Sequence, residues 1–203
     1  MPDLTTDYRS PSVPEILDTM KSLSKNKSKI FFFGSEADYG VILYDQCTQK
    51  QIEELEKYAG YSLPEDYRQF LLYTNGMMFG QDGSPLSVSS RIYSLEELYS
   101  VKKILDWQLK SMLEIGVCAD GTIQIFINLK EKGSNNIYIA GIMDDKYYSR
   151  LNCDFCTFLE RFILAYGVPF WEWGAEMTDI CHCEAEVERG PTYLGGAMFL
   201  IGD

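Results

Sequence analysis

CTQKQIEELEKYAGYSLPEDYRQFLLYTNG, residues 47–76, spells two short amphipathic helices with a start and a stop signal on each. Thr48 and Gln51 stand at capping-box spacing, so the hydroxyl can accept from one free backbone N–H while the amide answers another. Cys47 before the cap and Ile52 after it are placed for a hydrophobic staple. Ile52, Leu55 and Ala59 then share one face, and Glu53, Glu54, Glu56 and Lys57 occupy the others. Gly60 supplies a left-handed stop. The second helix is expected to open near Ser62 or Leu63, with Pro64 in its first turn, where a missing N–H is harmless. Glu65 and Asp66 complement the dipole there. Tyr67, Phe70, Leu71 and Thr74 form the buried stripe, and Asn75-Gly76 ends it.

Working outward, Val13, Ile16, Leu17 and Met20 predict a helix over Pro14 to Leu23, with Ser12 and Glu15 as its capping pair. Ile30 to Phe33 and Val41 to Tyr44, separated by GSEADYG, read as an extra hairpin. After Gly76 the chain turns, and Ser87 to Tyr93 reads as a strand. Ser94 and Glu97 make another capping box, with Tyr93 and Leu98 as its staple, for a helix from Leu95 to about Leu105. Met112 to Val117 and Thr122 to Leu129 flank Asp120-Gly121, the pattern of a hairpin. Ile137 to Ile142 reads as a further strand. In LNCDFCTFLERFILAYG, Asp154 caps a helix whose Phe155, Phe158, Leu159 and Phe162 face one way. Strands in sequence with short connections predict an antiparallel meander. The apolar ending, Ala197 to Ile201, is expected to dock on the body.

The ordered set Thr48, Ile52, Leu63-Pro64, Tyr67, Phe70-Leu71 and Asn75-Gly76 closely resembles the core motif of the SUKH superfamily. That superfamily includes the fungal Smi/Knr regulators of cell-wall synthesis and many bacterial proteins. Its last helix typically starts Ser-Phe, two residues, Phe-Leu; here Asp154-Phe155 and Phe158-Leu159 stand in that place, with Asp for Ser at the cap. The resemblance spans roughly Thr48 to Gly167. It implies an α+β fold, an antiparallel β-sheet flanked by helices. We expect one domain over 1–203, its core at about 48–167. An N-terminal elaboration covers 13–44 and a C-terminal extension 168–203, neither within the resemblance.

Composition bounds the chemistry. With 203 residues and 46% hydrophobic content the chain can bury one good-sized core. No apolar run approaches the ~20 residues of a membrane span. The polar start, MPDLTTDYRSPSVPEI, lacks the order of a secretory signal, so a cytoplasmic protein is expected. A net charge of −12 argues against direct nucleic-acid binding, which needs clustered Lys and Arg, and fits a basic partner or plain solubility.

The six cysteines do not form a disulfide framework for a chain of this size. Cys153 and Cys156, at C-x-x-C spacing, with Cys181 and Cys183 around His182, are a candidate zinc set. Against it, Cys156 sits in a Phe-rich helix, and a buried cysteine serves as a small hydrophobe; reduced cysteines without metal, and no cofactor, are the favoured reading. One histidine, and no nucleophile-elbow or phosphate-loop motif, leave little for catalysis. Fourteen tyrosines and three tryptophans exceed what a core requires, and such residues concentrate at protein interfaces. Tyr147, Tyr148, Trp171 and Trp173, flanked by Asp144, Asp145 and Glu172, make a candidate partner-binding patch; partial burial at a sheet edge is the alternative.

The resemblance to the bacterial SUKH proteins implies an immunity protein rather than an enzyme. Such a protein binds a cognate toxin domain, often a nuclease, and blocks its active site. A Smi/Knr-like regulatory scaffold and a small zinc-binding protein are the alternatives. The motif residues are scaffold, so no toxin-contact residue carries over.

Overall fold

The computed structural model of the chain describes residues 10–25, 29–32, 35–38, 40–79, 90–104, 111–131, 135–141, 148–172 and 180–181. Helix α1 (Val13–Lys25) starts at the predicted cap, where the backbone N–H and hydroxyl of Ser12 both donate to Glu15 Oε2, at 2.7 and 2.6 Å. Its stripe, Val13, Ile16, Leu17 and Met20, is buried. Strands β1 (Lys29–Phe32) and β2 (Ser35–Asp38) form a two-stranded antiparallel ribbon of their own. Strand β3 (Val41–Leu43) instead pairs with β4 (Met77–Phe79).

The expected hairpin between 30–33 and 41–44 is therefore not formed. Ser35–Asp38 lacks β-branched residues and reads as a connector, yet it pairs with its immediate neighbour. Strand preference follows the backbone partner available more than the side chain, and Val41–Leu43 finds its partner where the chain returns after the helices.

Two helices lie between β3 and β4. Helix α2 (Gln49–Ala59) carries the full capping box: Gln51 N–H donates to Thr48 Oγ1 at 3.3 Å and Thr48 N–H to Gln51 Oε1 at 2.8 Å. It stops at Gly60 in the left-handed region, φ +77°. Helix α3 (Glu65–Tyr73) begins slightly later than the sequence suggests, with Pro64 as the residue before its first turn. Tyr67, Phe70 and Leu71 are buried as expected, while Thr74 is buried as an extended cap residue.

The remaining strands are β5 (Arg91–Ile92), β6 (Met112–Cys118), β7 (Ile123–Asn128), β8 (Ile137–Gly141), β9 (Ser149–Leu151) and β10 (Ile180–Cys181). They complete an eight-stranded sheet ordered β10-β9-β8-β7-β6-β5-β4-β3, antiparallel throughout. The expected meander is what forms. Strands β4, β9 and β10, which the sequence reading passes over, and the short β5 are the differences within it; residues 80–89, among them 87–89 of the expected 87–93 strand, lie outside the described set. Helix α4 (Leu95–Ile104) follows β5 behind its predicted capping box, with Ser94 N–H donating to Glu97 Oε2 at 2.9 Å. Helix α5 (Phe155–Leu164) follows β9 behind Asp154, whose Oδ1 accepts from Thr157 N–H at 2.8 Å. A 3-10 turn (Phe170–Glu172) leads away from it. The tail segment 197–201 lies outside the described residues.

Register explains the layering. Leu113, Ile127, Ile137 and Leu151 face one another across β6 to β9, with Ile125 opposite Ile139, and this row meets residues of all five helices in one continuous core. Tyr67, Phe70, Phe155, Phe158 and Phe162 knit α3 to α5, Phe155 meeting Tyr67 edge-on at 4.9 Å and Phe70 at 5.3 Å. The opposite row, Glu114, Phe126, Tyr138 and Arg150, belongs to the other face of the sheet. There Met112, Phe126, Tyr138 and Ala140 form a second, smaller buried cluster.

Candidate partner-binding surface

The aromatic-acidic patch expected from sequence is not assembled by the described residues. Asp144, Asp145, Tyr147 and Trp173 lie outside them. Tyr148 is half-buried just before β9, its ring edge-on to Phe126 at 5.0 Å. Trp171 is 4% exposed and packs against Phe170 at 5.1 Å and Phe158 at 6.4 Å, so it is a core residue, not a contact. The reason is local: the aromatic face of α5 continues into the 3-10 turn, and Trp171 completes it. Glu172 beside it is exposed.

The cysteines resolve similarly. Cys153 is buried in the main core, and the Cys156 thiol donates to the Pro11 carbonyl at 3.2 Å. Cys183 and His182 lie outside the described residues, and Cys181 is placed only as backbone in β10, opposite Arg150. Among the described residues no three His, Cys, Asp or Glu side chains are grouped to hold a metal ion. Burial pushes the thiols of Cys47 and Cys156 up to about 11 and that of Cys153 to about 12, and raises Cys118 further. Thiols so displaced are not thiolates at neutral pH, which removes them as nucleophiles.

Two polar features were not singled out from sequence. The first is Glu114, 4% exposed in mid-strand, which accepts from the Tyr93 hydroxyl at 2.9 Å and from Gln124 Nε2 at 3.0 Å. Its signal was an acid inside the apolar run MLEIGVC, a position that needs paid-up hydrogen bonds once buried. It ties the link between β5 and α4 to β6 and β7.

The second is an open cleft of about 880 Å³ between the α2–α3 turn, the start of α5 and the β7–β8 connection. Leu63, Pro64 and Leu129 give it apolar walls; Glu65, Asp66, Glu131 and Asp154 give it four carboxylates. No Lys, Arg or His lines it among the described residues. The nearby Arg68 is held by Glu56, its Nη1 2.7 Å from Glu56 Oε1, with Glu65 3.8 Å from its Nε.

Each acid is positioned by the fold. Asp66 Oδ1 accepts from Tyr67 N–H at 2.8 Å and Oδ2 from Cys156 N–H at 3.1 Å, so it pins α3 to the start of α5 beside the Asp154 cap. Glu131 Oε1 accepts from the Tyr138 hydroxyl at 2.6 Å. The Asp66 carboxyl is raised above its ordinary 3.8, by burial first and with a further push from the Asp154 charge, against the pull of the backbone N–H groups. Asn136, 2% exposed, also lines the cleft, and its Oδ1 accepts no hydrogen bond among the described residues. An acidic recess with no cation among its described lining residues, and with a buried spare acceptor, can bind positive charge. The sequence hid it because Asp66, Glu131 and Asp154 come from three separate segments.

The chain is similar in sequence to known proteins. The model of the SMI1 / KNR4 family (SUKH-1) matches residues 46–161, more than half of the chain and every residue of the cleft; Trp171 to Trp173 fall outside it. Uncharacterized protein YobM of Bacillus subtilis (strain 168) is 29% identical over 169 residues, 79% of this chain and 91% of that protein. Uncharacterized protein YnaB of the same organism is 29% identical over 130 residues, 63% of this chain and 84% of that protein.

Proposed function

The chain belongs to the SMI1/KNR4 family (SUKH-1), and from that premise we propose that it is an immunity protein, binding a cognate toxin domain one to one and blocking its active site. Members of the family interact with partner proteins. The observation that carries the reading is the acidic cleft, with no Lys, Arg or His among its described lining residues, on a molecule of net charge −12. A nuclease toxin needs a basic groove to hold phosphate. An acidic surface speeds encounter with such a groove and then competes for the same charges. The protein acts in the cytoplasm of the producing cell and performs no chemistry itself. Among the described residues no helix is long and apolar enough to cross a membrane.

Co-expression with the toxic C-terminal domain encoded beside it is the direct test. Restored growth and an equimolar complex on size-exclusion chromatography are expected. A neighbour that stays lethal, with no complex formed, would sink the proposal. If the chain instead co-purifies with wall-synthesis or signalling factors, the Smi/Knr-like scaffold reading takes its place.

A further inference from the structure

We propose that the cleft between α3, α5 and the β7–β8 connection is a receptor for a guanidinium group, the arginine side chain of the partner. The inference rests on the immunity reading only for the partner's being a toxin; the receptor itself is argued from the cleft. Three observations converge. Four carboxylates surround the recess with no cation among its described lining residues. Asp66 and Asp154 stand together at the start of α5, where the backbone N–H groups of Tyr67, Cys156 and Thr157 donate to them and no cationic side chain lines the recess among the described residues. Asn136 Oδ1 is a buried acceptor with nothing donating to it among the described residues, a position that ordinarily signals a missing partner.

Guanidinium suits this set better than ammonium. It is planar and carries five N–H donors in a fixed fork, so it can meet a carboxylate and a side-chain amide oxygen at once, and its faces stack on apolar walls such as Pro64 and Leu63. An ammonium is a compact, strongly hydrated point charge and gains less from flat walls and spread acceptors. The β7–β8 connection supplies Glu131 and Asn136 to one side while α3 and the α5 cap supply the acids of the other. A side chain entering from solvent would therefore be gripped from two sides of the fold.

The test needs no toxin. N-acetyl-arginine amide, the neutral isostere N-acetyl-citrulline amide and N-acetyl-lysine amide are titrated into the full chain, with backbone and Asn136 side-chain amides followed by NMR. The arginine compound should give saturable shifts at Asn136, Glu131, Glu65 and Asp66, and citrulline none. The Glu65→Gln, Glu131→Gln double variant keeps an acceptor for Tyr138 and should weaken arginine binding about fivefold, the loss of roughly 1 kcal/mol of ion-pair energy. Asn136→Ser, which withdraws the acceptor, should weaken it as well. Absence of arginine shifts, equal shifts from citrulline, or tighter binding of lysine would overturn the assignment. Arginine binding in a chain that rescues no toxin leaves the receptor standing and fells the immunity reading. Rescue by a chain whose cleft ignores arginine does the reverse.

Discussion

Tyr67 is the residue at which sequence pattern and energetics part. Its ring sits at the centre of the α3–α5 contact, 0% exposed, yet its hydroxyl has no hydrogen-bond partner among the described residues. An unpaired buried hydroxyl costs about 1–3 kcal/mol. Tyr67→Phe should therefore be neutral or raise unfolding free energy by about 1 kcal/mol in a denaturant melt, unlike most core deletions. A loss beyond about 1 kcal/mol would show that the hydroxyl is satisfied in solution. Asp66 yields a pH prediction. Because its folded carboxyl titrates above the ordinary 3.8, the folded chain holds that proton more tightly than the unfolded chain. Its contribution to stability is present below pH 3.8 and is lost as pH rises through the folded value. Relative to Asp66→Asn, the native protein should lose stability as pH climbs from that point toward neutrality; a gain over the same window would contradict the assignment. Apart from such sites, residue roles were legible where a local signal existed. Thr48, Gly60, Ser94 and Asp154 act where they stand, through neighbours three or four positions away.

At the scale of elements, the Asn75-Gly76 pair does more than end α3. Asn75 Oδ1 accepts from Leu95 N–H at 2.8 Å and so caps α4, twenty residues downstream. Gly76 has φ +91°, and a Cβ there would lie 2.8 Å from both Ile92 O and Ser94 N. Only glycine lets β4 run this close to the β5–α4 link. Gly76→Ala should cost about 3 kcal/mol or more, read by thermal or urea unfolding, because the obstruction is backbone and cannot rotate away. A loss under about 1 kcal/mol would mean that the link can shift, and that this junction is not what sets the sheet. The helices were readable in the chain because each carries a cap and a stripe at helical period. The strands were readable only where apolar residues run long, as in β6 and β7. Strand β4 was missed because Met-Met-Phe is too short to show alternation, and β2 because its residues are polar.

For the whole molecule the charge is the property that acts at a distance. Long-range attraction between a −12 chain and a basic partner is screened by salt, whereas the packed contacts formed after docking are not. The association rate with the toxin should fall at least about tenfold between low salt and roughly half-molar salt, while the dissociation rate changes far less. Stopped-flow measurement in which the association rate ignores salt would detach the acidity from recognition. The charge, the helices with their caps, the buried stripes and the family to which the chain belongs were all determined by the sequence alone, because each depends on neighbours a few residues apart or on a simple sum. Tertiary structure decided which strand joins β3, that Trp171 is core, and that Asp66, Glu131, Asn136 and Asp154 line one cleft. Those outcomes depend on contacts between segments tens of residues apart, and no local pattern records which distant segment a side chain will meet.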